Sequence, residues 1–299
     1  MSKGDEMYYI DDYEKYLLEK GSSKSTVSAY LADLDDFESY LKQLDKPLEK
    51  AKEEDFISYS DLLSNNGKSA ATINRRISSI RSFYDYLIKR GAIKKNPCVS
   101  SKASKIEEKE IKWLSEEKIN KLVESPASDT SGKRDRAILE LMYATGIRVS
   151  ELCGLNVSDI NLNIGYISVN TNDNKKARAV PIGRYCKAAL KEYLEDSRKA
   201  LLGKKEDKGA LFLSYLGERI TRQAVWKLLK TYGEKCELGE EVTPQLIRDT
   251  FAVHLIQHGA DLKSLQELLG HEDIMATKIY LKFKKTRVMD VYNKSFPRA

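Results

Sequence analysis

Apolar positions recur at helical spacing along most of this chain. In residues 72–91 (TINRRISSIRSFYDYLIKRG), Ile73, Ile77, Ile80, Tyr84, Leu87 and Ile88 form one stripe, the period of a helix with a buried face. About 180° round the wheel lie Arg75, Ser79, Ser82, Tyr86 and Lys89, with Arg76 beside them. Gly91 stands where a helix can end on a left-handed residue. Upstream, the pattern predicts helices over 7–20, over 24–43 behind a polar Ser-Lys-Ser-Thr run, and near 53–64. Asn65-Asn66-Gly67 and Asn96-Pro97 are the breakers. Residues 100–112 (SSKASKIEEKEIK) have almost no apolar anchors and read as an inter-domain linker.

A second pattern begins at Trp113. Ser115 is the expected N-cap of a helix, and 134–144 (RDRAILELMYA) is an apolar helix stopping at Thr145-Gly146. Residues 164–169 and 177–182 alternate as two strands around a polar turn, 170–176. Helices are predicted again over 184–202, 221–236, 244–258, 262–269 and 273–281. The expected fold is mainly α with a small β-sheet in the second domain.

Composition agrees with two ordered domains: 299 residues, 41% hydrophobic and 32% charged, with 6 Pro and 16 Gly. No run approaches 18 apolar residues and the start lacks the apolar core of a signal peptide, so the expectation is a cytoplasmic protein without a membrane partner. Four cysteines, 98, 153, 186 and 236, lie far apart and read as reduced thiols. The net charge of +6 is unevenly distributed. Residues 1–66 hold 8 Lys/Arg against 16 Asp/Glu, residues 67–112 hold 12 against 4, and the remainder holds 31 against 25. A basic cluster carrying short hydroxyls suits phosphates and base edges. The alternative is a solvated basic face on an ordinary surface helix.

His254 and His258 have the i, i+4 spacing of a zinc pair, but no glutamate follows His254, which sits in an apolar run. A packed or surface histidine is the favoured reading, and no metal or other cofactor is expected. Phosphate-cradling glycine loops and nucleophile elbows are missing from the sequence, so phosphoryl chemistry here must proceed without a nucleotide loop. What remains is a dispersed set: Arg148 after a glycine turn, Arg248 one turn into the helix opened by Thr243-Pro244, His271 after Gly270, and Tyr280. Singly, each could be a salt bridge, a cap or one tyrosine among 17.

Together their surroundings resemble the tyrosine recombinases of the phage integrase family, closest to the XerD-type site-specific recombinases. The motifs are ATGIRVSEL (144–152), TPQLIRDTFAVHLIQHGADLKSLQELLGH (243–271) and KIY (278–280), with KGSSKSTVSAYLADLDDF and TINRRISSIRSFYDYLIKRGAIKKNP in the first third. The resemblance implies an N-terminal helical, SAM-like core-binding domain (1–105), a linker (106–112) and a catalytic domain (113–299), together a C-shaped clamp on duplex DNA. It implies site-specific cutting and rejoining through a 3′-phosphotyrosyl intermediate, in chromosome dimer resolution or mobile-element integration and excision. Tyr280 matches the nucleophile, Arg148 and Arg248 the phosphate clamp, and His271 a donor to the same phosphate. Arg222 and Gln223 match a DNA-meeting helix start, beside Arg75, Arg76, Ser79 and Ser82 in the first domain. Four protomers on two DNA sites, with a related recombinase subunit as one option, and a docking segment at 286–299 are also implied.

Three positions depart from the family pattern. Gln245 stands where His-x-x-Arg has histidine, and it cannot carry charge or shuttle a proton. Asp249 stands where a histidine usually follows Arg248, and i, i+1 spacing turns it about 100° away. The hairpin lysine that protonates the leaving oxygen aligns with Asn172 or Asp173, so Lys175 or Lys176 would have to replace it. Two readings follow: an active recombinase with a rearranged hairpin lysine, or a weakened DNA-binding paralogue that works with a partner recombinase.

Overall fold

The computed structural model describes residues 3–98, 110–170 and 177–284, with side chains from residue 9 onward. The chain divides into two compact units, Met1–Lys109 and Glu110–Ala299.

Four helices build the first unit: α1 (Lys3–Glu19), α2 (Lys24–Gln43), α3 (Glu53–Asn65) and α4 (Ala70–Lys89). Ser23 and Ser69 cap α2 and α4, their hydroxyls accepting from the N–H groups of Thr26 and Thr72 at 3.1 and 3.3 Å. Gly91 has φ 73°, and the chain leaves α4 through it. Helix α4 packs on the other three. Its Ile73, Ile77, Ile80, Tyr84 and Leu87 join Tyr13, Leu34, Phe37 and Phe56 in one core, each such side chain contributing about 1.5–3 kcal/mol.

The face of α4 opposite that stripe is not free, contrary to the sequence expectation. Ser79 and Tyr86 are buried at 2% and 3% exposure. The Ser79 hydroxyl donates to the buried carboxylate of Asp33 at 2.8 Å, and Tyr86 stacks among Tyr13, Tyr16 and Phe83. Helices α1 and α2 therefore cover α4 from this side as well. The acidic first stretch and the basic second stretch of sequence meet here as ion pairs: Arg75 on Asp33, Arg76 on Asp36 and Arg90 on Asp12.

The second unit contains α5 (Glu116–Glu124), α6 (Thr130–Thr145), α7 (Val149–Gly154), strands β1 (Ile160–Asn161), β2 (Tyr166–Val169) and β3 (Arg178–Pro181), then α8 (Arg184–Glu192), α9 (Arg198–Leu202), α10 (Arg222–Lys235), α11 (Pro244–Gln257), α12 (Leu262–Leu269) and α13 (Met275–Lys278). Helix α6 is buried on every side from Ala137 to Met142 and lies at the centre, packed by α5, α8 and α11. The strands form an antiparallel meander, β1–β2–β3, with Ile167 opposite Val180 and Val169 opposite Arg178.

Three details differ from the sequence reading. The short α7 and β1 were not expected. The first predicted strand starts two residues late, because Asn161 caps the N–H groups of Asn163 and Ile164 and Gly165 adopts φ 77°, making a tight turn before Tyr166. The predicted helix over 184–202 contains a π turn, Tyr193–Ser197, between α8 and α9.

Candidate active site

The site forms around the C-terminal end of α12. That helix is opened by Asp261, whose carboxylate accepts from the Ser264 N–H at 2.9 Å. It is closed by Gly270 at φ 62°. A helix leaves its last carbonyls without intrahelical partners and partly negative, which favours cations there. Three successive carbonyls accept from three arginines of different elements. Leu268 O takes Nε of Arg178 (β3) at 2.9 Å, Leu269 O takes Nη2 of Arg248 (α11) at 2.7 Å, and Gly270 O takes Nη2 of Arg148 at 3.4 Å. A Cβ on Gly270 would lie 2.9 Å from Arg178 Nη1, so glycine serves both the left-handed turn and the close approach.

Glu151 ties two of these arginines together. It binds Arg178 in a two-pronged pair, both contacts 2.8 Å, and accepts the backbone N–H of Arg148 at 2.8 Å and its Nη1 at 3.2 Å. Burial alone would raise the Glu151 carboxyl, but the Arg178 hydrogen bonds and the Arg148 contacts bring it below the ordinary value. Arg148 occupies the N-cap position of α7 and is the accessible member, with 41% of its side chain exposed. Arg248 is 4% exposed. Its Nη1 donates to Gly146 O at 2.5 Å, across the left-handed turn that ends α6. Burial first, and the charge of Arg148 next, pull its pKa down to about 10, which leaves it protonated at neutral pH.

His271 follows directly on the glycine. Its Nε2 lies 3.0 Å from Arg248 Nη2 and its Nδ1 lies 2.9 Å from the Thr277 hydroxyl. Arginine can only donate, so Nε2 is the acceptor, and this pattern assigns the proton to Nδ1. Burial and then Arg248, Arg148 and Arg178 hold the imidazole pKa down to about 4, so it is neutral. Thr277 also links the ring to Tyr280, because the Tyr280 N–H donates to Thr277 O at 3.1 Å. Tyr280 is 2% exposed, and its hydroxyl donates to Asp249 Oδ1 at 2.6 Å. Gln245, one turn earlier on α11, donates from Nε2 to the same oxygen at 2.9 Å. Burial and this carboxylate drive the Tyr280 phenol far above its ordinary pKa, and burial raises Asp249 as well.

The structure thus brings Arg148, Arg248, His271, Tyr280 and Gln245 into one locality within the second unit. Lys175, Lys176, Asn172 and Asp173 lie outside the described residues, as do 286–299 and most of the expected linker. Arg222 and Gln223 are exposed at the start of α10, which Thr221 caps. In the first unit Arg75 is half exposed and Ser82 half-buried, whereas Arg76 and Ser79 are largely covered. His254 is buried on α11 with Nδ1 2.9 Å from the Tyr143 hydroxyl. Burial pushes the Cys153 thiol up to about 11 and Cys186 higher still, which makes neither a ready nucleophile.

Residues 112–287 match the model of the phage integrase family, and residues 10–91 match the phage integrase N-terminal SAM-like domain. The chain belongs to the phage integrase family. A tyrosine recombinase XerD of Oceanobacillus iheyensis is 38% identical over 295 residues, covering 98% of this chain and 99% of that one. A tyrosine recombinase XerC of Thermodesulfovibrio yellowstonii is 40% identical over 295 residues, covering 97% and 96%. The crystal structure of a XerA recombinase is 26% identical and superposes with a TM-score of 0.53, covering 98% of this chain and 99% of the other. The Tn1549 transposon integrase in complex with circular intermediate DNA shares the fold at a TM-score of 0.74 and 22% identity, covering 97% and 99%.

Two residues of this integrase-family site were not visible in the sequence reading. Arg178 and Glu151 lie far apart along the chain, and nothing in spacing pairs them. Only the register Val169 to Arg178 and the start of α7 bring them together. A faint signal existed for Glu151: it stands three residues after Arg148, the position from which an acidic side chain reaches back to an N-cap N–H.

Proposed function

We propose that this chain is a site-specific recombinase that cuts and rejoins duplex DNA through a 3′-phosphotyrosyl intermediate. The observation that carries this reading is the meeting of Arg148, Arg248 and His271 at the end of α12, with Tyr280 joined to His271 through Thr277. Tyr280 Oη attacks the scissile phosphorus, the P–O5′ bond breaks, and the 5′-hydroxyl leaves. A partner strand's 5′-hydroxyl reverses the step, so bond energy is conserved and no high-energy cofactor is consumed. Two planar guanidiniums suit the extra negative charge of the five-coordinate phosphorus. An anion seated there also answers the arginine charges that, after burial, depress Arg248 and His271.

Protonation of the leaving oxygen falls to Lys175 or Lys176. Lys176 precedes Arg178 by two residues in the sequence. Arg222 and Gln223, with Arg75, Arg76 and Ser82 in the first unit, are assigned to DNA contact, whereas the buried hydroxyl of Ser79 acts by holding Asp33 in place. A tetramer on two sites fits a relative of the same fold, the lambda integrase tetramer bound to a Holliday junction (TM-score 0.71, 24% identical, covering 94% of this chain and 77% of that one). The retained phosphate-site set argues against a paralogue that only binds DNA.

A nicked suicide duplex tests the reading. Wild type should form a covalent protein–DNA adduct and Tyr280→Phe none. Lys175→Ala or Lys176→Ala, whichever removes the acid, should slow adduct formation by about 10²–10⁴. Tight binding without any adduct from wild type would overturn the assignment.

A further inference from the structure

The proton on Tyr280 must go somewhere when its oxygen bonds to phosphorus. Burial keeps the phenol protonated at neutral pH, so attack needs a base in contact with Oη. Gln245 cannot serve, since a neutral amide is too weakly basic to take up a proton at this pH. His271 does not serve either: its Nε2 faces Arg248 and its Nδ1 faces Thr277. Among the described residues, the hydrogen-bond acceptor on Oη is Asp249, at 2.6 Å.

We propose that Asp249 is the catalytic proton acceptor for Tyr280, and that Gln245 is the residue that positions it. This rests on the recombinase reading of the site. In the forward step the Oη–H bond breaks toward Asp249 Oδ1 as the Oη–P bond forms, and the P–O5′ electron pair leaves on the 5′-oxygen. In the return step the incoming 5′-hydroxyl gives its proton to the lysine that had protonated the leaving oxygen, its oxygen bonds to phosphorus as the Oη–P bond breaks, and the neutral Asp249 returns its proton to Oη. Geometry supports the division of labour. Gln245 and Asp249 are one helical turn apart on α11, so they share a face, and the Gln245 amide donates to the very oxygen that receives Tyr280. The groups facing Asp249 are Gln245 on its own helix, Tyr280 from the segment after α13, and the charge of the neighbouring Arg248. Arg248 favours the carboxylate, while burial opposes it, and the balance keeps Asp249 a better proton acceptor than an exposed aspartate. At 249 one base then replaces another, and at 245, a turn earlier on the helix, a residue that only positions stands where the family pattern has a histidine.

The test uses the full-length protein and a nicked suicide duplex whose site is first selected by binding from a random duplex pool. Single-turnover adduct formation is measured for wild type, Tyr280→Phe, Asp249→Asn and Asp249→Ala from pH 5 to pH 9, with DNA affinity measured beside it. Asp249→Asn keeps size and a hydrogen-bond acceptor but cannot take the proton. It should bind DNA as wild type does, form adduct about 10²–10⁴ times more slowly, and lose the rise in rate on the acid side of the profile. An Asn variant with the wild-type rate and profile would overturn the proposal and leave the recombinase reading standing. Faster adduct formation by Asn or Ala would also overturn it, by making Asp249 a restraint on the nucleophile. No adduct from wild type on a tightly bound site would instead remove the recombinase reading, and this proposal with it.

Discussion

Glu151→Gln tests the architecture of the site directly. The wild-type carboxylate is 8% exposed, holds Arg178 through two 2.8 Å contacts and caps the Arg148 N–H at 2.8 Å. The amide keeps the volume but removes the negative charge that faces Arg148, Arg178 and Arg248. Removing one partner of a buried ion pair costs about 3–5 kcal/mol, and because glutamine can still accept one hydrogen bond we take the lower end, about 3 kcal/mol. For a unit of this size that corresponds to a fall in Tm of about 6–12 °C. Tryptophan fluorescence reports the relevant unit alone, since both tryptophans, Trp113 and Trp226, lie in Glu110–Ala299. The variant should also recover stability with added sulfate more steeply than wild type, because an anion restores the missing charge, by about 2.7 kcal/mol at a hundredfold excess over Kd. Glu151 has a lowered pKa in the fold, so its contribution is full above the ordinary 4.5 and is lost as pH falls through the folded value. The gap between the two proteins should therefore close in acid. A variant within about 1 kcal/mol of wild type, with no sulfate dependence, would refute the reasoning.

Three further outcomes follow from the same geometry. Gly146→Ala should destabilise the second unit by about 2–4 kcal/mol in urea unfolding, since φ is 56° and the new methyl would lie 2.4 Å from a Phe251 ring carbon. His271 should stay neutral down to about pH 4 in the free protein and take up a proton at higher pH once a phosphodiester occupies the site, seen as a shift of its ring resonances on titration with and without DNA. Arg148→Ala should change stability by less than about 1 kcal/mol, because the side chain is 41% exposed and its longest contact is 3.4 Å, yet abolish adduct formation. Loss of folding in that variant would show that Arg148 is structural.

The helices and their caps were legible in the chain because they depend on near neighbours. The stripe from Ile73 to Leu87, the polar run before α2, Ser115 before α5 and Gly91 each act within a few residues. So were Arg148, Arg248, His271 and Tyr280, through the motifs around them. The exposure of α4 was not legible. A helical wheel places Ser79 and Tyr86 opposite the core stripe, but a helix inside a four-helix unit is covered on more than one side. The polarity of the first third was read correctly as charge and incompletely as function, since Asp33, Asp36 and Asp12 lie on the earlier helices and pair with α4 across the fold.

Asp249 shows the same division. From sequence alone its carboxylate beside Arg248 reads as a charge loss turned away from the phosphate. Positions i and i+1 diverge by about 100°, but what lies in that direction is decided 31 residues later, where the segment after α13 returns Tyr280 to α11. Sequence by itself determined which residue types were available, where the helices start and stop, and the family. Tertiary structure decided which charges neutralise each other, which carbonyls of α12 hold which arginine, and which base meets the tyrosine. The physical reason is range: propensity and capping act over a turn or two, whereas ion pairing and proton transfer depend on contacts of about 3 Å between groups that the chain alone leaves far apart.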